Sequence, residues 1–280
     1  MSENNPKNVL VTGASSGIGK ACAIYLAKKG YSVIATSRSL PKLSSVEKVV
    51  QDHGLDIKTA ELDINSENSI EDTIPYLVSE HGVIDVLINN AGYGLWGPAD
   101  SISIAEMESQ MKTNFFAPFR LMKAVLPDML NNHSGTIINI SSILGRIGTP
   151  FNGAYVASKF AMEGLSESMR IELWPLGIRV VLLEPGYIKT DFHKNQVTAS
   201  KAYSTNLRYG KIQYNGETQN RAYFMLSQNP IKVAKKVHSI VRSNNPKFRY
   251  TINKEAMIGA LCARFIPERI FQSILSRTTM

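Results

Sequence analysis

Short apolar runs alternate with longer stretches of helical period along most of this chain. Residues 8–12, 31–37, 57–62, 84–88, 136–141, 178–183 and 248–252 have the length and β-branched content of buried strands. Between them, Ala21, Ile24, Tyr25 and Ala27 ahead of Gly30 as a C-cap mark one helix, and 43–51 a second. Ser66 caps another through Glu80, and 103–130, 152–174 and 231–243 complete the series. Strands separated by helix-length segments imply βαβ units with right-handed crossovers. The expected fold is α/β: one domain over 1–280, built on a doubly wound parallel sheet of about seven strands with helices on both faces.

In such sheets ligands lie beyond the carboxyl ends of the strands, and the chemistry-bearing residues fall there. Strand 8–12 runs into Gly13-Ala14-Ser15-Ser16-Gly17-Ile18-Gly19, followed by a helix. Glycines in that context let the backbone approach a pyrophosphate, which the N–H groups at the helix start attract. The second strand ends in Ser37-Arg38, where NAD-binding folds place an acid for the ribose hydroxyl. An arginine suits a 2′-phosphate instead, which it grips with two hydrogen bonds, so NADP(H) is expected over NAD(H). Asp63, Asn90 and Ser142 close the third, fourth and fifth strands. Tyr155 and Lys159 are one helical turn apart on one face. A phenol ordinarily ionises near pH ~10, and an adjacent ammonium favours its phenolate. A hydroxyl, a phenol and a lysine that converge can move a proton on or off an alcohol oxygen.

Composition excludes several classes. The chain is 44% hydrophobic and 19% charged, with no low-complexity tract or repeat. No apolar run has the length of a membrane span, and the polar start lacks a signal-peptide core. Cys22 and Cys262 are too few for a disulfide framework and have no metal-ligand partners, so both read as small core residues and no metal is expected. A cytoplasmic location is the default. The net charge of +8 is uneven: residues 201–280 carry fourteen Lys/Arg against three acids, or +11, leaving −3 for the first 200. No nucleic-acid-binding motif accompanies the basic region, so no nucleic-acid partner is expected.

Taken together, Thr12–Gly19 (TGASSGIG), Asn89–Gly92 (NNAG), Asn114, Ser142, Tyr155-x-x-x-Lys159 and Pro185-Gly186 closely resemble the short-chain dehydrogenases/reductases. The match is to the single-domain NAD(P)-dependent type with its Rossmann-type sheet, nearest the hydroxysteroid and retinol dehydrogenase-like branch, over about 7–250. The resemblance implies Tyr155 as general acid/base, Lys159 as its pKa-lowering neighbour and ribose ligand, and Ser142 as the group that orients the substrate oxygen. It implies that Asn114 supports a water linking Lys159 to solvent. For the cofactor it implies Gly13, Ser15, Ser16, Gly17, Ile18 and Gly19 in the turn, and Asp63 and Ile64 at the adenine. It adds Asn90, Ala91 and Gly92 on the adenosine side, with Pro185, Gly186, Ile188 and Thr190 near the nicotinamide amide. NADP-preferring relatives often carry a basic residue where this chain has Ser16, so the preference rests on Arg38.

The segment after Pro185-Gly186 is expected to form a substrate lid, about 187–229, with Tyr203, Tyr209, Tyr214, Tyr223 and Phe224 along it. Tyr187 and Leu144 join Ser142 and Tyr155 as substrate contacts, and Tyr93, Leu95, Trp96 and Ile147 add to an apolar wall suited to a bulky lipophilic ketone or alcohol. Residues 255–277 read as an amphipathic basic pair of helices broken at Pro267. That pair has three readings: packing over the cleft, contact with a second subunit in a homodimer or homotetramer, or peripheral contact with anionic lipid. Two other classes stand against the enzyme reading: a sensor that binds NADPH without turnover, and a nucleic-acid-binding protein that uses the basic region.

Overall fold

A computed structural model of the chain describes residues 7–202 and 226–279. Seven strands form one sheet, in which every pairing is parallel: β1 (Asn8–Val11), β2 (Ser32–Ser37), β3 (Ile57–Glu61), β4 (Val86–Asn89), β6 (Gly135–Ile140), β7 (Ile178–Glu184) and β9 (Arg249–Thr251). Their spatial order is β3-β2-β1-β4-β6-β7-β9, so the winding reverses between β1 and β4. Between the strands run α1 (Gly17–Ala27), α2 (Ser44–His53), α3 (Glu67–His81), α4 (Ile104–Met111), α5 (Ala117–Asn131), α6 (Gly153–Leu173) and α7 (Pro230–Val241). The C-terminal pair is α8 (Lys254–Phe265) and α9 (Glu268–Thr279), separated at Pro267 as expected.

Both faces of the sheet are covered, which is why its strands read as unbroken apolar runs rather than as alternating ones. Val9, Val11, Ile138 and Val181 pack with Cys22, Leu26, Val237 and Ile240 on one side. Leu10, Leu87, Ile137 and Val180 pack with Ile74, Leu121, Met122 and Met169 on the other. Cys22 is a buried core thiol, pushed up to about 12 by burial, whereas Cys262 on α8 is only half-buried. Helix α1 ends at Ala27 with Lys28 as its C-cap, and Gly30, expected there, sits two residues later in the turn at φ 85°.

Residues 103–130 are not one continuous helix. α4 and α5 are joined by a π-helical stretch, Lys112–Phe116, whose extra residue per turn turns Asn114 inward. A second sheet of two short strands, β5 (Leu95–Trp96) and β8 (Val197–Thr198), closes a small core with Ala154, Ala199 and Ala202. Two-residue strands carry no period, so hydropathy could not have found them.

Candidate active site

At the reversal, the halves of the sheet are sewn together by side chains. The Thr12 hydroxyl accepts the backbone N–H groups of Asn90 (3.0 Å) and Ala91 (3.1 Å), and Asn90 Nδ2 donates to the carbonyls of Thr12 (2.9 Å) and Gly13 (3.2 Å). The turn fits this space because its glycines have no side chain to place. Gly13 has φ 63° and a Cβ there would lie 2.9 Å from Ala91 Cα; Gly17 has φ 55° and faces Thr190 at 3.1 Å. Ser16 starts α1 without a capping side chain, and no acid occupies the first turn, so the helix start presents its N–H groups to the cleft.

The cleft so formed holds about 1040 Å³. Of the expected cofactor residues, Gly13, Ser15, Ser16, Gly17, Ile18, Arg38, Ile64, Asn90, Ala91, Gly92, Tyr155, Lys159, Pro185, Gly186, Ile188 and Thr190 line it. Gly19 and Asp63 do not. Gly19 lies beneath the turn, where a Cβ would come within 2.4 Å of the Gly13 carbonyl oxygen. Asp63 turns its carboxylate to the Asn65 N–H (3.0 Å), and Asn65 takes its place on the wall. Lys42, which the sequence reading passed over, joins Arg38 at the far end. Its position four residues after Arg38 was the available signal. A dinucleotide fits these residues: a glycine-rich turn, a helix start open to anions, and two cations at the far end.

At the other end, Ser142, Leu144, Tyr155 and Tyr187 all line the cleft. Ser142 follows β6, and its Oγ accepts the Leu144 N–H at 3.1 Å. Lys159 Nζ donates to the Ile140 carbonyl at 2.8 Å and lies 5.6 Å from the centroid of the Tyr155 ring. Burial pushes the phenol up to about 12, opposed by its hydrogen bond with Ser142. Burial also brings the lysine down to about 8, opposed by the charge of Glu163. In this cleft burial dominates the phenol, and a lowering contact comes from Ser142. A phenol so placed holds its proton at neutral pH and is poised to donate it.

Asn114 is buried behind the cleft instead of lining it. Its Nδ2 donates to the Tyr93 carbonyl (2.9 Å) and to Ser158 Oγ (3.2 Å), and its Oδ1 accepts the Tyr93 N–H (3.2 Å). Gln110, one turn earlier, donates to the same carbonyl (3.0 Å) and accepts the Leu95 N–H (2.7 Å). Together they fix the loop that carries Tyr93 over the cleft.

Of the expected apolar wall, Tyr93 and Leu144 are in place, while Leu95, Trp96 and Ile147 are buried in packing away from it. Tyr203, Tyr209, Tyr214, Tyr223 and Phe224 fall outside the described residues. Phe192 and His193 stand at the mouth, the Phe192 ring 5.8 Å from that of Tyr155 and the His193 ring 6.0 Å from that of Tyr187. Burial holds His193 below the usual histidine range. α8 reaches the cleft as well: Asn253 Nδ2 donates to the Tyr187 carbonyl at 2.7 Å, which seats Glu255 and Ala256 on the wall. Among the described residues no cluster of metal-ligating side chains occurs.

A parallel sheet wound in two directions, a glycine turn at the reversal, and a Ser–Tyr–Lys set beside it define a nicotinamide-dependent oxidoreductase. The family profile described as short chain dehydrogenase matches residues 7–201, and the chain belongs to that family. It is 38% identical to human retinol dehydrogenase 8 over 89% of this chain and 82% of that one. It is 36% identical to the 3-ketodihydrosphingosine reductase of Bacteroides thetaiotaomicron over 96% and 97% of the two chains. Among solved structures, a short-chain dehydrogenase from Streptomyces avermitilis superposes with TM-score 0.81 at 28% identity, covering 100% of this chain and 96% of that one. An actinorhodin polyketide ketoreductase solved with NADPH gives TM-score 0.75 at 28% identity, over 91% and 97%.

Proposed function

We propose that the chain is an NADP(H)-dependent oxidoreductase that interconverts a lipophilic ketone or aldehyde and its alcohol. The observation that carries this is the meeting of Ser142, Tyr155 and Lys159 in one cleft with the glycine turn, which ends at Arg38 and Lys42. The two cations, with no acid among the residues lining that end, support NADP(H). A bound nicotinamide dinucleotide supplies or accepts the hydride. Gly13, Gly17 and the start of α1 hold its phosphates, and Arg38 with Lys42 the 2′-phosphate. Ser142 orients the substrate oxygen, and Tyr155 gives that oxygen its proton in the reductive direction or takes it in the oxidative one. Lys159 keeps positive charge beside the phenol as it is deprotonated.

The substrate class draws support from the names of the two relatives, a retinol dehydrogenase and a ketodihydrosphingosine reductase, both acting on long apolar molecules. Tyr93, Leu144, Tyr187 and Phe192 at the mouth agree with it. α8 and α9 present Met257, Ile258, Leu261, Phe265, Ile270 and Ile274 outward, beside Arg264 and Arg269. We assign that face to an anionic lipid surface, from which such a substrate would enter. Homodimer or homotetramer assembly is the proposed oligomeric state, with the exposed Phe160 and Ile171 of α6 as its apolar face.

The deciding experiment is Tyr155→Phe. Turnover of a retinoid and a long-chain ketone, followed by NADPH absorbance, is expected to fall at least ~10³-fold while NADPH binding by fluorescence is retained. Undiminished turnover would reject the reading.

A further inference from the structure

Beneath the cleft lies a second set of charged groups to which the reaction above gives no part. Glu163 is on α6, one turn beyond Lys159, and its side chain is 7% exposed. Glu184, at the end of β7, is 0% exposed. Two carboxylates buried this close would repel each other without a cation between them. Arg249, from the last strand β9, is that cation: its Nε lies 2.9 Å from Glu163 Oε2 and 3.5 Å from Glu184 Oε1, and its Nη2 2.9 Å from Glu167 Oε2. Arg146 reaches Glu184 Oε2 at 3.6 Å, and the Thr251 hydroxyl donates to the same oxygen at 3.0 Å. The other oxygen of Glu163 faces Ser141, the residue before Ser142. A Cβ on Gly145 would sit 2.8 Å from the Ser141 hydroxyl and 3.3 Å from Glu163 Oε1, so glycine is needed there for the pair to approach.

We propose that Glu163 is a positioning residue that keeps Lys159 charged in its buried setting, and that Arg249 holds Glu163 in place to do so. This rests on the reading of Tyr155 and Lys159 given above. Lys159 is 8% exposed and its ammonium bonds a neutral carbonyl, so the anion one turn away is what opposes loss of its proton. Glu163 answers to groups on every element around it. Burial and Glu184 on β7 raise its carboxyl above the usual range, while Ser141 after β6 and Arg249 on β9 hold it down. Without Arg249 the carboxylate would take up a proton, and the lysine would lose its counter-charge. The edge strand thereby acts on a catalytic helix whose cleft it does not line.

The sign is fixed by the charges. Removing the negative charge of Glu163 disfavours the ammonium, so Lys159 should titrate at lower pH. The test is competitive amine labelling of Lys159 across pH, read by peptide mass spectrometry on protein without dinucleotide; no turnover is needed. Wild type should show a midpoint of about 8. Glu163→Gln should bring it down by about one unit, and Glu163→Asp, which keeps the charge, should leave it near wild type. If Glu163→Gln does not fold, Glu163→Met removes the charge while Arg249 stays paired with Glu167 and Glu184, and the same shift is expected. The alkaline limb of kcat should move down with it. A wild-type midpoint in Glu163→Gln, or an equal shift in Glu163→Asp, overturns the proposal, since either makes the role one of packing. Tyr155→Phe judges the parent reading separately, because the labelling reports Lys159 whether or not the enzyme turns over.

Discussion

Arg38 is exposed at the end of β2, and its side chain gives the cleft a positive end together with Lys42. A guanidinium can hold phosphate oxygens in pairs, whereas a carboxylate at the same place would repel them and accept from ribose hydroxyls. Arg38→Asp is therefore expected to lower the NADPH-over-NADH ratio of kcat/KM by at least about tenfold, with Lys42 retaining part of the preference. A ratio equal to wild type in steady-state assays with both cofactors would remove Arg38 from the account. Gly19 shows the opposite kind of residue, one that contributes by what it lacks. Its contact with the Gly13 carbonyl leaves no room for a methyl, although it lines no part of the cleft.

Elements, more than single residues, mark where the sequence could be read and where it could not. The seven strands and the helices between them were legible because each buries a strip long enough to impose a period. The ends shifted by a residue or two, as helix and strand termini do. The π-helical stretch was not legible, since inserting one residue into a turn leaves no mark on hydropathy. What it achieves is specific: with Gln110 and Asn114 it clamps the Tyr93 backbone from the helix side. Asn114→Ala should leave the Tyr93 N–H without that partner and cost about 2 kcal/mol of stability, measured by urea unfolding. The loop should also loosen, raising KM more than it lowers kcat. Among site residues, Ser142, Tyr155 and Lys159 could be placed because a motif fixes them on known elements. Phe192, Glu255 and Ala256 could not, because their arrival at the mouth depends on long-range seating such as Asn253 against Tyr187.

On the scale of the whole molecule, charge and apolar surface are gathered toward the C-terminal end. None of the helices among the described residues is long and apolar enough to cross a membrane. Ile258 and Phe265 are 58% and 72% exposed, and replacing both with glutamate should leave the fold intact. Co-sedimentation with phosphatidylserine-containing vesicles is expected for the wild type, and to be lost in Ile258→Glu/Phe265→Glu. Equal recovery of both in the supernatant would remove the lipid assignment. The parallel order of the sheet has a consequence for how the chain is made. β9 is made after the other six strands of the sheet, yet it brings the guanidinium that Glu163 and Glu184 share. Until residue 249 is present, a chain that closes its earlier strands must bury Glu163 without its guanidinium and leave Glu184 to Arg146, or keep that edge open. A chain that stops short of β9 therefore lacks the cation that seats Glu163 beneath the cleft.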